Sequence, residues 1–158
     1  MSDKIYKGHI IFDHDGTLVN TEGPVVELFP GIKALLIFLV KEDFKLSLWT
    51  ARPRRSTLEI INHLEIFSYF SQIYCYDDGA PKPHPAGLAK LTQGFSKLDC
   101  LHIGDSPGDF QGAHDFGIEV VAACWNNANT VEKYSQLADY TALNLDDCKK
   151  IIKGKFNV

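Results

Sequence analysis

The stretch His9-Ile10-Ile11-Phe12-Asp13-His14-Asp15-Gly16-Thr17-Leu18 limits what this chain can fold into more than any other. Ile10 to Phe12 is short, apolar and largely β-branched, the composition of a buried strand. Asp-His-Asp-Gly cannot continue such a strand, because unpaired charge in an apolar layer is costly. The strand must end at a surface where two carboxylates converge. Taken alone, Asp-x-Asp-Gly also suits an Asx-rich turn. It further resembles part of a calcium loop, but that loop follows a helix and needs Glu at its twelfth position. Counted from Asp13, the twelfth position is Pro24, so the calcium reading fails.

The rest of the chain alternates. Pro30-Gly31 opens an apolar segment, Ile32 to Val40, that reads as a helix apolar nearly all round and well buried. Lys45 to Thr50 is a second strand, broken off at Thr50-Ala51-Arg52-Pro53. Residues 56–65 have Leu58, Ile61 and Leu64 at helical spacing, with Ser56 and Glu59 as a capping box. Gln72 to Tyr76 is a third strand, followed by the rigid loop Lys82-Pro83-His84-Pro85 and a helix from Ala86 to Gln93. Leu98 to Ile103 is a fourth strand ending in Gly104-Asp105-Ser106-Pro107-Gly108-Asp109, with Phe110 to Phe116 helical behind it. Ile118 to Cys124 and Tyr140 to Leu143 are strands; Thr130 to Leu137 and Asp146 to Ile152 are helices. Strands alternating with helices specify an α/β fold, a doubly wound parallel sheet with helices on both faces in three layers.

A chain of 158 residues, 45% apolar and 23% charged, suits one soluble globular domain. The net charge of −4 gives no signal for nucleic acid or an anionic membrane. Four cysteines without a Cys-x-x-Cys pair point to a reduced, cytoplasmic chain rather than a metal cluster. Met1 to Lys4 has no apolar signal core. The longest apolar run, Ala34 to Val40, falls far short of the roughly 18 residues that span a bilayer.

In a doubly wound sheet the strands point one way, so their carboxyl ends share a rim where ligands bind. That rim would gather Asp13 and Asp15, Thr50 with Ala51 and Arg52, Lys82, and Asp105 with Asp109. Three carboxylates in one crevice call for a cation, and hard oxygen ligands with open positions suit Mg²⁺. The Thr50 hydroxyl, the Lys82 ammonium and backbone amides are donors for a phosphoryl group.

Four motifs now stand in order: Phe12-Asp13-His14-Asp15-Gly16-Thr17-Leu18, Leu48-Trp49-Thr50, Lys82-Pro83-His84-Pro85 and Gly104-Asp105-Ser106-Pro107-Gly108-Asp109. In these the chain resembles the haloacid dehalogenase-like superfamily of hydrolases, in its Asp-x-Asp phosphatase branch, over nearly its whole length. The resemblance implies that Asp13 is the nucleophile forming an aspartyl-phosphate and Asp15 the general acid and base. One carboxyl doing both jobs needs a pKa raised toward neutrality. It further implies Mg²⁺ held by Asp13, the backbone carbonyl of Asp15 and Asp105, with Thr50 and Lys82 on the phosphoryl oxygens. Asp109 would act through water or by orienting Lys82, or else merely start the next helix. Ser106 belongs to the same motif. Arg52 would meet the leaving group or stay solvated, and His84 would line the mouth. His14 would face away from both carboxylates. Arg54 and Arg55 read as surface charges, and Trp49 as core or pocket wall.

Members of this superfamily often carry a lid domain inserted after the first motif or between the second and third. Here residues 14–49 and 51–81 are already used by a flap at about 16–29 and by core elements, so a capless site is expected. An open rim fits phosphorylated substrates from small molecules upward and would be closed by the flap, an oligomer partner or the substrate. The reading is therefore a Mg²⁺-dependent phosphomonoester phosphatase. Its rivals are a phosphotransferase using the same intermediate and a non-catalytic phosphate-binding protein.

Overall fold

The computed structural model describes residues 4–158; Met1–Asp3, where no signal core was read, lie outside the described residues. The first strand, β1 (Gly8–Phe12), leads into a small antiparallel hairpin, β2 (Val19–Asn20) with β3 (Glu27–Leu28). Then come α1 (Ile32–Lys41), β4 (Phe44–Trp49), α2 (Arg54–His63), β5 (Gln72–Tyr74) and α3 (Ala86–Leu91). The chain continues with β6 (Cys100–Gly104), α4 (Pro107–Phe116), β7 (Glu119–Ala123), α5 (Val131–Tyr134), β8 (Tyr140–Ala142) and α6 (Leu145–Phe156).

Six strands form one parallel sheet in the order β5-β4-β1-β6-β7-β8. From β1 the chain steps outward through β4 to β5, then returns to the other side of β1 for β6, β7 and β8. The order reverses between β1 and β6, and a crevice opens there at the carboxyl ends. The register is fixed on both flanks, with Phe12 opposite Leu48 on one side and Ile103 on the other.

Strand alternation splits the core in two. Ile10 and Phe12 of β1 pack with Leu46, Leu48, Leu101 and Ile103 beneath α1, α2 and α6. Ile11, Trp49, Cys100 and Val120 face the opposite way, against Leu88 and Leu91 of α3 and Phe110 and Ala113 of α4. This second face also buries polar groups: His9, Ser47 and His102 are fully inaccessible, and His9 Nε2 lies 2.6 Å from Ser47 Oγ. Each fully buried Leu or Ile side chain contributes about 1.5–3 kcal/mol.

The fold class is as expected; several local readings change. In α1 only Ile32, Leu35, Leu36 and Leu39 are buried, while Ile37 and Val40 turn toward solvent, because the sheet covers one stripe of the helix. α2 starts at Arg54, earlier than expected, so Ser56 lies inside the first turn and makes no capping box with Glu59. A capping box forms instead between Ser106 and Asp109 at the start of α4. Residues 130–137 hold only the short α5, and the flap at residues 16–29 contains the β2–β3 hairpin, anchored by buried Leu18 and Val19. All four cysteines are buried and free. Among the described residues no helix is long and apolar enough to cross a membrane.

Candidate active site

Asp13 follows the last residue of β1, and its backbone N–H donates to Ile103 O at 2.9 Å, which seats it on the switch point. Gly16, at φ +80, turns the chain immediately afterwards. A Cβ there would come within 2.0 Å of Asp105 Oδ2, so only glycine allows the first loop to lie against the loop after β6. Thr17 Oγ1 then lies 3.4 Å from Asp13 Oδ2 and 3.5 Å from Asp105 Oδ1, between the two carboxylates.

Lys82 arrives from the proline-rich loop ahead of α3. Its ammonium donates to Asp13 Oδ1 at 2.8 Å and to Asp109 Oδ1, and it stands 4.6 Å above the centre of the Trp49 ring. Asp109 is fully buried and also engages His102 Nε2 at 2.8 Å and Ser106 Oγ at 2.9 Å. One carboxylate oxygen each of Asp13, Asp105 and Asp109 lie within 4.8 Å of one another.

The single ammonium serves its two carboxylates unevenly. Burial would raise the pKa of Asp109, but Lys82 and His102 outweigh it and hold Asp109 well below the usual carboxylate range. Asp13 has no such surplus: burial and then the charge of Asp109 push it up to about 8, against the pull of Lys82. Burial likewise raises Asp105, and Asp109 adds to it. Burial would lower Lys82, yet the two carboxylates keep it firmly charged. Asp13 and Asp105 are thus acidic groups in want of positive charge, while the oxygens of Asp109 are already engaged. A hard divalent cation fits between Asp13 and Asp105.

Asp15 corrects the sequence reading. Its carboxylate is gripped by Arg52, with Nε at 3.2 and 3.0 Å from the two oxygens and Nη2 at 2.8 Å from Oδ1. Thr21 Oγ1 donates to Oδ1 at 2.8 Å, and His14 Nδ1 lies 3.3 Å from Oδ2 without hydrogen-bond geometry. Burial pulls the Asp15 pKa upward, but His14 and Arg52 together prevail and hold it below the ordinary range, not raised toward neutrality. His14 therefore does not face away from the site: it is buried beside Asp15 in the turn that follows the strand.

The remaining residues divide. Thr50 is buried at the end of β4, and its Oγ1 accepts from Arg52 N at 3.1 Å, which leaves the hydroxyl proton free to donate. Ala51 is exposed on the rim. His84 is exposed and its Nδ1 accepts from Ala86 N at 3.0 Å, so it closes the turn into α3. Arg54 is not a free surface charge: it holds Asp78 by Nε and Nη2 and caps Ile73 O at 2.7 Å, bracing the turn after β5. Arg55 remains exposed, near Glu59. Sequence reasoning missed His102. The signal was its place on β6, where a period of two sets it on the face opposite Leu101 and Ile103, ahead of the fourth motif.

A family model described as haloacid dehalogenase-like hydrolase matches residues 23–123. The chain belongs to this family. A phosphoglycolate phosphatase of Yersinia pseudotuberculosis is 34% identical over 110 residues, covering 68% of this chain and 47% of that protein. One from Pseudomonas putida is 26% identical over 132 residues, covering 80% of this chain and 47% of its own length. The chain thus spans about half the length of these curated relatives. Among solved structures, a predicted phosphoglycolate phosphatase from Haemophilus somnus superposes with TM-score 0.82 at 20% identity, covering 93% of this chain and 98% of the other. A haloacid dehalogenase-superfamily hydrolase from Geobacter sulfurreducens gives 0.78 at 17% identity, covering 96% and 99%. Both share the fold.

Proposed function

We propose that this chain is a Mg²⁺-dependent phosphomonoester phosphatase acting through an aspartyl-phosphate on Asp13. The observation that carries the reading is Asp13 at the switch point, between the ammonium of Lys82 and the carboxylate of Asp105. The relatives named phosphoglycolate phosphatase support the reaction class.

Asp13 Oδ attacks phosphorus in line with the leaving oxygen; the P–O bond to the leaving group breaks, and Asp15 gives that oxygen its proton. Asp15 then takes a proton from water, whose oxygen attacks the phosphoaspartate and releases inorganic phosphate with Asp13 restored. Thr50 Oγ1 and Lys82 Nζ hold phosphoryl oxygens while charge spreads over them. Asp109 holds Lys82. Arg52 must release Asp15 before the first proton transfer, since a carboxylate held in a guanidinium fork has no proton to give. Asp13, Asp105 and the backbone carbonyl of Asp15 would hold Mg²⁺, which neutralises the converging carboxylates and the phosphate. The substrate is a phosphorylated compound reached through an open rim; the chain is read as one capless domain.

Asp13→Asn is the direct test. Turnover of p-nitrophenyl phosphate with Mg²⁺ should vanish, and retained turnover in the folded variant overturns the mechanism.

A further inference from the structure

The residue that joins the site together is a histidine outside the four motifs. His102 is fully buried, and both of its ring nitrogens are used. Nδ1 lies 2.8 Å from Ile11 O, two residues ahead of the nucleophile on β1. Nε2 lies 2.8 Å from Asp109 Oδ1, the same oxygen that Lys82 engages. One imidazole therefore ties the backbone of the nucleophile's strand to the carboxylate that carries the lysine.

Trp49 completes the arrangement. Its ring lies 5.1 Å from that of His102, edge to face, and supports the Lys82 ammonium on its own face. The indole is wedged between two helices. A Cβ at Gly87 of α3 would come within 2.4 Å of its Nε1, and one at Gly112 of α4 within 2.4 Å of its Cη2. The ring has one place to sit, and so has the ammonium above it.

We propose that His102 is a positioning residue for phosphoryl transfer, holding Asp109 and through it Lys82 in fixed relation to Asp13, with Trp49 as the platform beneath the ammonium. This rests on the phosphatase reading for its kinetic consequence but not for its geometry. A residue needed only for packing would be served by an apolar side chain, as Cys100 serves on the same face of the same strand. Burying two ring donors there is costly unless each N–H finds an acceptor, and here the Ile11 carbonyl and the Asp109 carboxylate stand ready to accept one each.

The test uses His102→Leu, His102→Gln and Trp49→Phe in the full chain, with Tm measured for each. His102→Leu should lower kcat by about 10–100-fold with a smaller change in KM. His102→Gln, whose amide can still reach Asp109, should recover most of that loss. In a Lys82→Met background His102→Leu should cost nothing further, because it acts through the lysine. An undiminished kcat in folded His102→Leu, or an equal loss with and without Lys82, overturns the proposal. If His102→Leu does not fold, the same cycle is run with Trp49→Phe, expected to lower kcat several-fold only when Lys82 is present. Mg²⁺-dependent binding of inorganic phosphate, measured by calorimetry, separates the two readings. If the wild type hydrolyses no phosphomonoester yet His102→Leu weakens phosphate binding in a Lys82-dependent way, the phosphatase reading falls and the positioning role stands.

Discussion

Arg52 closes on both carboxylate oxygens of Asp15 and thereby favours the ionised form of the residue proposed as the general acid. The two lie 37 positions apart and meet because β1 and β4 are neighbours whose loops leave the sheet together.

Arg52→Ala should therefore move the pH dependence of the reaction. The pair lowers the Asp15 pKa, so losing Arg52 raises it toward the normal carboxylate range or beyond, given the burial. A general acid works protonated, and kcat/KM reports its state in the free enzyme. The alkaline limb for an alkyl phosphomonoester should shift to higher pH, as read from a full pH profile of wild type and variant. An unmoved limb would show that Asp15 is not the acid.

Asp13→Asn should stabilise the metal-free protein while it abolishes turnover. The folded-state pKa of Asp13 is about 8, above its unfolded value, so its contribution is present in acid and lost as pH rises through 8. The difference in unfolding free energy between variant and wild type in EDTA, followed by Tm, should be small at pH 4 and should grow toward pH 8, by at most about 1.4 kcal/mol per pH unit. Adding Mg²⁺ should narrow it from the wild-type side.

His9 should give the opposite slope. Burial, reinforced by Lys45, pushes its pKa down to about 3, so the unfolded chain binds the extra proton between the ordinary histidine range and pH 3. Stability is complete at neutral pH and is lost as pH falls, by up to about 1.4 kcal/mol per unit. The double variant His9→Leu with Ser47→Ala removes both members of the buried pair. Urea midpoints at pH 7 and pH 5 should differ less for it than for wild type.

Gly16→Ala should cost more than the usual 1–2 kcal/mol of a left-handed alanine, because its Cβ would meet Asp105. Pushing that carboxylate aside should remove the stabilisation that Mg²⁺ gives the wild type, as followed by Tm with and without the ion.

The strand ends were legible because each apolar run stops at residues that cannot be buried, and a parallel sheet brings such ends to one rim. That reasoning places Asp13, Lys82, Asp105 and Asp109 together. It does not give the partners of a side chain that meets its neighbour across strands. Asp15 was expected with a raised pKa because its role demanded one; Arg52 supplies the missing half of its environment. His102 was passed over because an isolated histidine in an apolar strand carries no motif. The exposed outer face of α1 went unseen because Ile37 and Val40 are apolar by composition, while burial depends on what lies opposite.

The two neighbours of β1 come from very different distances along the chain: β4 pairs from Phe44 onward, whereas β6 pairs from Cys100. During synthesis Ile10, Ile11 and Phe12 must keep one edge bare until the polypeptide has grown past residue 100, an edge able to recruit strands from other chains. The same late arrival brings Asp105 and Asp109. The pairing of β1 with β6 and the meeting of Asp13 with Asp105 and Asp109 thus depend on the same late-made segment.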